Sequence, residues 1–211
     1  MQRIEITYED EGSITFNYPQ EIHDNISRLL KLCAANKMAE KMLIYLSSTK
    51  DNLEIYFTEE RLISLGQCLP EVNRIEIRSQ LSFENLLKTF IFECSNACNP
   101  KFNEINAMLF SSDVEYANYM EESEYDSYVL AYNIFMHGIE NAGWPKPDNM
   151  SSYIESLSKE VWMKKSKTMN DKYNGVQSHF EIYTSFYASK VNAIRQDFLV
   201  NDQAYICNNK R

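Results

Sequence analysis

Three glutamates occupy positions where a carboxylate is expensive, and they are the residues that could do chemistry. The first is Glu93. Residues 82–99 read as one helix in which Phe83, Leu86, Leu87, Phe90, Ile91, Cys94, Ala97 and Cys98 recur at the three-and-four spacing of a buried stripe. The opposite face carries Asn85, Thr89, Phe92, Glu93 and Asn96, where an ordinary surface helix carries Lys and Glu. That face is therefore expected to be covered as well, with Glu93 its only acid. A second long helix, Ser112 to about Glu140, has the stripe Ala117, Met120, Tyr128, Ala131, Tyr132 and Phe135. Glu121 and Glu124 fall on that stripe, and Glu122 falls outside it. A core-facing carboxylate must be paired, hydrogen-bonded or protonated.

Two carboxylates in differently desolvated places can divide the roles of acid and base. Glu93 with Glu121 or Glu124 is thus a candidate catalytic pair for a metal-independent hydrolase or transferase. The structural alternative puts Glu121 and Glu124 at the wet edge of the stripe, bonded to Tyr or Asn side chains. Asn85, Thr89, Phe92, Asn96 and Tyr128 are the candidate binding residues around them.

The elements that must position these groups follow from the pattern. Residues 2–8 and 13–18 alternate apolar and polar around the turn signal Glu9-Asp10-Glu11-Gly12, which predicts a hairpin. Residues 20–36 predict a helix with Ile22, Ile26, Leu29, Leu30 and Cys33 on one stripe. Residues 41–47 fit a buried strand or a helix end. Residues 53–57 and 74–78 read as strands, with a short helical turn over 62–65 ended by Gly66. The helix over 82–99 stops at Asn99-Pro100. The second long helix opens with a Ser112/Glu115 capping box and stops at Gly143-Trp144-Pro145. A third starts near Ser152 with Glu155. A fourth covers about 175–200, with Val176, Phe180, Tyr183, Tyr187, Val191, Ile194 and Phe198 on one face. The fold class is α+β: one domain over 1–211, with a sheet-containing part (1–80), central helices (81–143) and C-terminal helices (144–211).

Composition limits the function classes. The chain has 211 residues, 44% of them hydrophobic and 13% aromatic, with only 5 Gly and 5 Pro, which is the profile of a folded domain without long linkers. A net charge of −9 argues against a nucleic-acid footprint. Lys164-Lys165-Ser166-Lys167 reads as solvated surface. No apolar run is long enough to span a membrane. The odd set Cys33, Cys68, Cys94, Cys98 and Cys207, without a secretory signal, reads as reduced thiols in a cytoplasm. Delivery by a specialised secretion system is compatible with the same features. Cys94 and Cys98 lie on the apolar stripe and read as core. His23, His137 and His179 fall on three separate helices and read as surface residues.

The order strand, strand, helix with Glu-x-x-x-Ala, then a second helix with glutamates, resembles the zincin metallopeptidases of the gluzincin type. In that family the helix carries His-Glu-x-x-His: the histidines bind zinc, the Glu is the general base, and a later Glu is the third ligand. On this sequence the motif becomes Phe92-Glu93-Cys94-Ser95-Asn96, followed by Ala97. Glu93 matches the base, and Glu121 or Glu124 the third ligand. Phe92 and Asn96 stand where the zinc ligands belong. Phenylalanine cannot coordinate a metal and asparagine is a poor zinc ligand. The resemblance therefore implies a zincin-like scaffold without its zinc, needing no cofactor and not carrying over peptide hydrolysis. The expectation is a non-catalytic domain that binds a protein partner, similar to a bacterial effector or toxin-associated protein.

Overall fold

The computed structural model describes residues 1–8, 12–60, 62, 64–103, 109–146, 154–168, 178–189 and 191. The chain divides into two compact units, Met1–Glu104 with Ser123–Trp162, and Ile105–Glu122 with Met163–Arg211.

The first unit is α+β. Strands β1 (Gln2–Tyr8) and β2 (Gly12–Tyr18) form the antiparallel hairpin, with Gln2 opposite Tyr18 and Tyr8 opposite Gly12. The crossover helices α1 (His23–Ala35) and α2 (Lys37–Thr49) lead to β3 (Leu53–Thr58), which runs parallel to β2. Next come β4 (Gly66–Leu69) and β5 (Arg74–Arg78). The sheet order is β1-β2-β3-β5-β4, with β4 an antiparallel edge strand. The ambiguous run over 41–47 is helix. The short helical turn expected over 62–65 is not helical at 62, 64 and 65, residue 63 lies outside the described residues, and Gly66 opens β4 instead of ending a turn.

The register explains the two-faced sheet. Phe16 lies opposite Ile55 and Ile55 opposite Ile75, while Phe57 faces Ile77, so one face is a continuous apolar ladder. The other face pairs Arg74 with Glu54 and Glu76, at 3.7 Å each, and lays the Arg74 guanidinium 4.6 Å from the Tyr56 ring centre. The apolar face is packed by α1, α2 and helix α3 (Phe83–Cys98), with Phe90 against Phe16.

Asn36 joins the helices of this layer. Fully buried, it caps α2 by accepting from the N–H groups of Met38 and Ala39. Its amide donates to the Ile134 carbonyl at 2.9 Å, and its Oδ1 meets His137 Nδ1 at 2.8 Å. Ile134 and His137 belong to α5 (Asp113–Asn141), whose later turns also bring Ala131 and Phe135 into this core. Trp144 closes the α5 end as the Gly-Trp-Pro signal requires. It is buried against Phe135 and its indole N–H donates to the Leu32 carbonyl at 3.0 Å. His137, expected at the surface, is thus a partner of Asn36.

After the short α4 (Pro100–Asn103), α5 begins behind Ser112, whose Oγ accepts from the Glu115 N–H. The box is displaced by one residue, because the Glu115 carboxylate takes the N–H and Oγ of Ser111 instead. Those bonds, the side-chain one first, hold the Glu115 carboxyl below its usual value. Ser152 lies outside the described residues, and α6 (Lys159–Thr168) starts behind Ser158. The expected last helix is described over 179–189, with Val176, Ile194 and Phe198 outside.

The second unit, which takes α5 up to Glu122 and α6 from Met163, is held by rings. Phe110 packs on Tyr116 and Tyr119, Tyr116 packs on Tyr187, and the Tyr187 hydroxyl donates to the Phe110 carbonyl at 3.0 Å. No helix among the described residues is long and apolar enough to cross a membrane.

Candidate functional site

Helix α3 is positioned by its two faces. Its N-cap is Ser82, whose side chain accepts from the Asn85 N–H. Leu86, Leu87, Phe90, Ile91 and Cys94 enter the core. The opposite face is covered from Thr89 onward, as its lack of charge predicts. Thr89, Glu93 and Asn96 are buried, and Phe92 is half-buried. Asn85 is the correction. It is exposed, because the first turn of α3 lies about two turns short of Glu93.

Two elements of the first unit cover this face. From the sheet comes the start of β4. A Cβ on Gly66 would stand 2.6 Å from the Thr89 methyl, 3.0 Å from Glu93 Cγ and 3.1 Å from Glu93 Oε1. Only glycine lets the strand approach this closely. From the helical side comes α5: the Asn99 amide donates to the Ser123 carbonyl (2.8 Å) and the Ser127 hydroxyl (3.1 Å), and Lys101 pairs with Asp126 at 2.8 Å. Phe92 meets Tyr128 edge-on at 6.4 Å, and both rings lie against Trp162, at 6.5 Å and 4.8 Å. Tyr125 completes this group, with its ring 6.3 Å from Trp162 and its hydroxyl donating to the Leu157 carbonyl at 2.7 Å.

Glu93 is 5% exposed. Its Oε2 accepts from the Asn96 amide at 3.2 Å, one helical turn along. The structure therefore joins Thr89, Glu93 and Asn96 beneath Gly66, joins Phe92 to Tyr128, and leaves Asn85 apart. Asn96 Oδ1 is buried without a hydrogen-bond partner among the described residues. Cys68 on β4 lies close enough for the Glu93 charge to act on it. Burial first, and that charge second, push the Cys68 thiol above its usual value. Burial likewise pushes Cys98 up to about 12 and Cys94 well above the thiol range. All three are held as thiols at neutral pH, which makes them poor nucleophiles.

The other two acids occupy the stripe as expected. Glu124 is 5% exposed and Glu121 is 0% exposed, while Glu122 is exposed. Within the second unit, Glu121 Oε1 pairs with His179 Nδ1 at 2.8 Å, and the imidazole stacks edge-on with Tyr183 at 5.1 Å. Sequence reasoning missed His179. Its only signal was placement on the same face of the last helix as Phe180 and Tyr183, and 58 residues separate it from Glu121. Such a pair can hold one histidine tautomer and its ring orientation.

Comparison with family models, with curated proteins and with solved structures finds no match to this chain.

Proposed function

We propose that the chain is a non-catalytic, zincin-like domain that works by binding another protein. The observation that carries this reading is what occupies the two positions where the resembled family holds zinc. Phe92 is engaged with the Tyr128 and Trp162 rings, and Asn96 gives its amide to Glu93. A carboxylate bonded within its own helix, under the Gly66 backbone, is poorly placed to take a proton from a substrate. The half-buried rings of Phe92, Tyr125, Tyr128 and Trp162 offer the amphipathic aromatic surface that protein interfaces favour. The charge of −9 would steer a basic partner toward it. A cytoplasmic role as a bacterial effector or toxin-associated protein belongs to the same proposal and rests on the resemblance and the composition.

A second reading keeps catalysis, as a metal-independent hydrolase or transferase that uses Glu93 with Glu121 or Glu124. The observation in its favour is the Glu121–His179 pair, a buried carboxylate that fixes an imidazole.

One experiment separates the readings. Wild type, Glu93→Gln and Tyr128→Ala are compared by affinity capture with mass spectrometry and by cleavage of a peptide library. Glu93→Gln is expected to keep its partner and to alter stability by less than about 1 kcal/mol, because Gln still accepts from Asn96. Tyr128→Ala is expected to lose the partner. Cleavage by wild type that disappears in Glu93→Gln would overturn the non-catalytic reading.

A further inference from the structure

The two edges of the sheet are protected unequally. β4 forms one of them. It is four residues long, Gly66 seats it under α3, and Pro70 follows it directly. A short strand and a proline are ways in which folds blunt an edge. β1 forms the other edge, wholly within the first unit. It runs for seven residues, Gln2–Tyr8, each matched one to one with β2 and without a bulge. It contains no Pro, Gly or Lys. No strand among the described residues lies beyond it. A ladder uses alternate backbone groups of its edge strand, so the other half of the β1 N–H and C=O groups points outward. The side chains agree. Gln2, Arg3, Glu5 and Thr7 are exposed, and Ile4 and Ile6 are half-covered although they pack on the core.

We propose that β1 pairs antiparallel with β1 of a second copy of this chain, about a two-fold axis through Ile4, and so joins the two five-stranded sheets into one. Charge selects this occupant. The chain carries −9, yet β1 holds one Arg and one Glu and is neutral. A two-fold axis perpendicular to the sheet keeps the apolar faces of both copies on one side, so the register must be centred on a residue. Centred on Arg3 or on Glu5, the pair sets like charges directly opposite, which is destabilising. Centred on Ile6, it sets Glu5 against Thr7. Centred on Ile4, it sets each Arg3 against Glu5 of the other copy, and Ile4 against Ile4 on the apolar face. Arg3 and Glu5 stand 3.8 Å apart with 65% and 51% of their side chains exposed, so both reach a neighbouring strand. Arg3 also donates to the Thr15 hydroxyl at 3.5 Å, and Glu5 accepts from the Ser13 hydroxyl at 2.9 Å. A guanidinium has five N–H donors and a carboxylate about four acceptor positions, so these bonds leave capacity for the second copy. A single strand pair falls in the class of small interfaces, below about 1,200 Å² in total, so the dimer forms and dissociates with concentration. It uses none of the rings around Trp162 and does not depend on the zincin-like reading.

The test is sedimentation of the full chain from about 1 μM to about 1 mM. The expected result is a monomer that becomes a dimer across that range. Arg3→Glu and Glu5→Arg, both exposed changes, should each weaken the dimer by about 10-fold or more. Mixed in equal amounts, the two variants should associate as wild type does, because each supplies the charges that the other lacks. Glu60→Arg, the same charge change at an exposed site away from β1, should leave the dimer unaltered. A wild type that stays monomeric throughout overturns the proposal and leaves the edge to a strand of another protein. A dimer that Arg3→Glu and Glu5→Arg leave unchanged overturns it, as does failure of the two variants to recombine. An equal effect of Glu60→Arg overturns it too, because net charge and not the β1 register would then govern association.

Discussion

Glu93 and Glu121 are both buried acids on long helices, and they are accommodated in opposite ways. Glu93, in the first unit, accepts from Asn96 on its own helix and is roofed by the Gly66 backbone. Glu121, in the second, reaches a histidine 58 residues away and has one oxygen without a hydrogen-bond partner among the described residues. The first arrangement is what a fold does with a polar group it has to cover. The second makes a charged group depend on an element distant in sequence. The difference lies in where the partners come from. A neighbour at i+3 is always present, whereas a partner from a distant helix can be shared with something else.

The sharpest way to break the contrast is His179→Ala. It leaves the Glu121 carboxylate buried with its one observed partner removed, and the expected loss is about 3 kcal/mol. Denaturant unfolding measures it. A loss under about 1 kcal/mol would mean that water already serves Glu121 and that the two acids are not differently held.

Gly66→Ala probes the other side. The added methyl meets Thr89 at 2.6 Å and the Glu93 stem at 3.0 Å, so the strand must lift or the side chains must move, at about 2 kcal/mol. Adding Thr89→Ser removes the nearest atom and should recover part of that loss. If Gly66→Ala were neutral, the roof over Glu93 would be loose and its burial no longer comparable with that of Glu121.

The effect that is smallest near neutral pH, and grows above it, is a pH dependence that belongs to the first unit. Burial raises Cys33 from its ordinary value to about 12. Unfolded Cys33 releases its proton near pH 9 and the folded thiol does not, so the unfolded state gains as pH rises. The stabilising difference is fully present below about pH 9. It falls by about 1.4 kcal/mol per pH unit toward pH 12. Melts between pH 8 and 11 should show this decline, and Cys33→Ala should make it shallower by the Cys33 share, leaving the shares of the buried Cys68, Cys94 and Cys98 thiols.

Much of the architecture was legible because two periods carried it. The three-and-four stripes of α3 and α5 placed Glu93, Glu121 and Glu124 on covered faces, and all three are buried. Alternation found β1, β2, β3 and β5. What escaped had no local signature. Gly66-Gln67-Cys68-Leu69 is four residues headed by a turn-former, so β4 could not be told from a loop, yet it is the strand that roofs Glu93. Met42-Leu43-Ile44-Tyr45-Leu46 is apolar throughout, which fits strand and helix alike until Asn36 is seen capping α2. Asn85 departs from its expected cover because polarity without charge does not by itself bury a residue in the first turn of a capped helix, which is commonly bare. His179 could not be matched to Glu121, since pairing across 58 residues is written in tertiary packing alone.

The ring cluster around Trp162 and the anchored indole of Trp144 have an optical consequence. These are the chain's 2 tryptophans, and both fall within the first unit, whereas the described rings of the second are tyrosine, phenylalanine and histidine. Excitation at the red edge of protein absorption, where only indole responds, therefore illuminates the sheet-bearing unit alone. Trp144, enclosed and hydrogen-bonded to Leu32, would contribute the bluer emission, and Trp162, half-buried among tyrosines, the redder. The second unit has no indole and is watched through tyrosine fluorescence, which the first unit shares, so the indole signal alone belongs to one half of the chain.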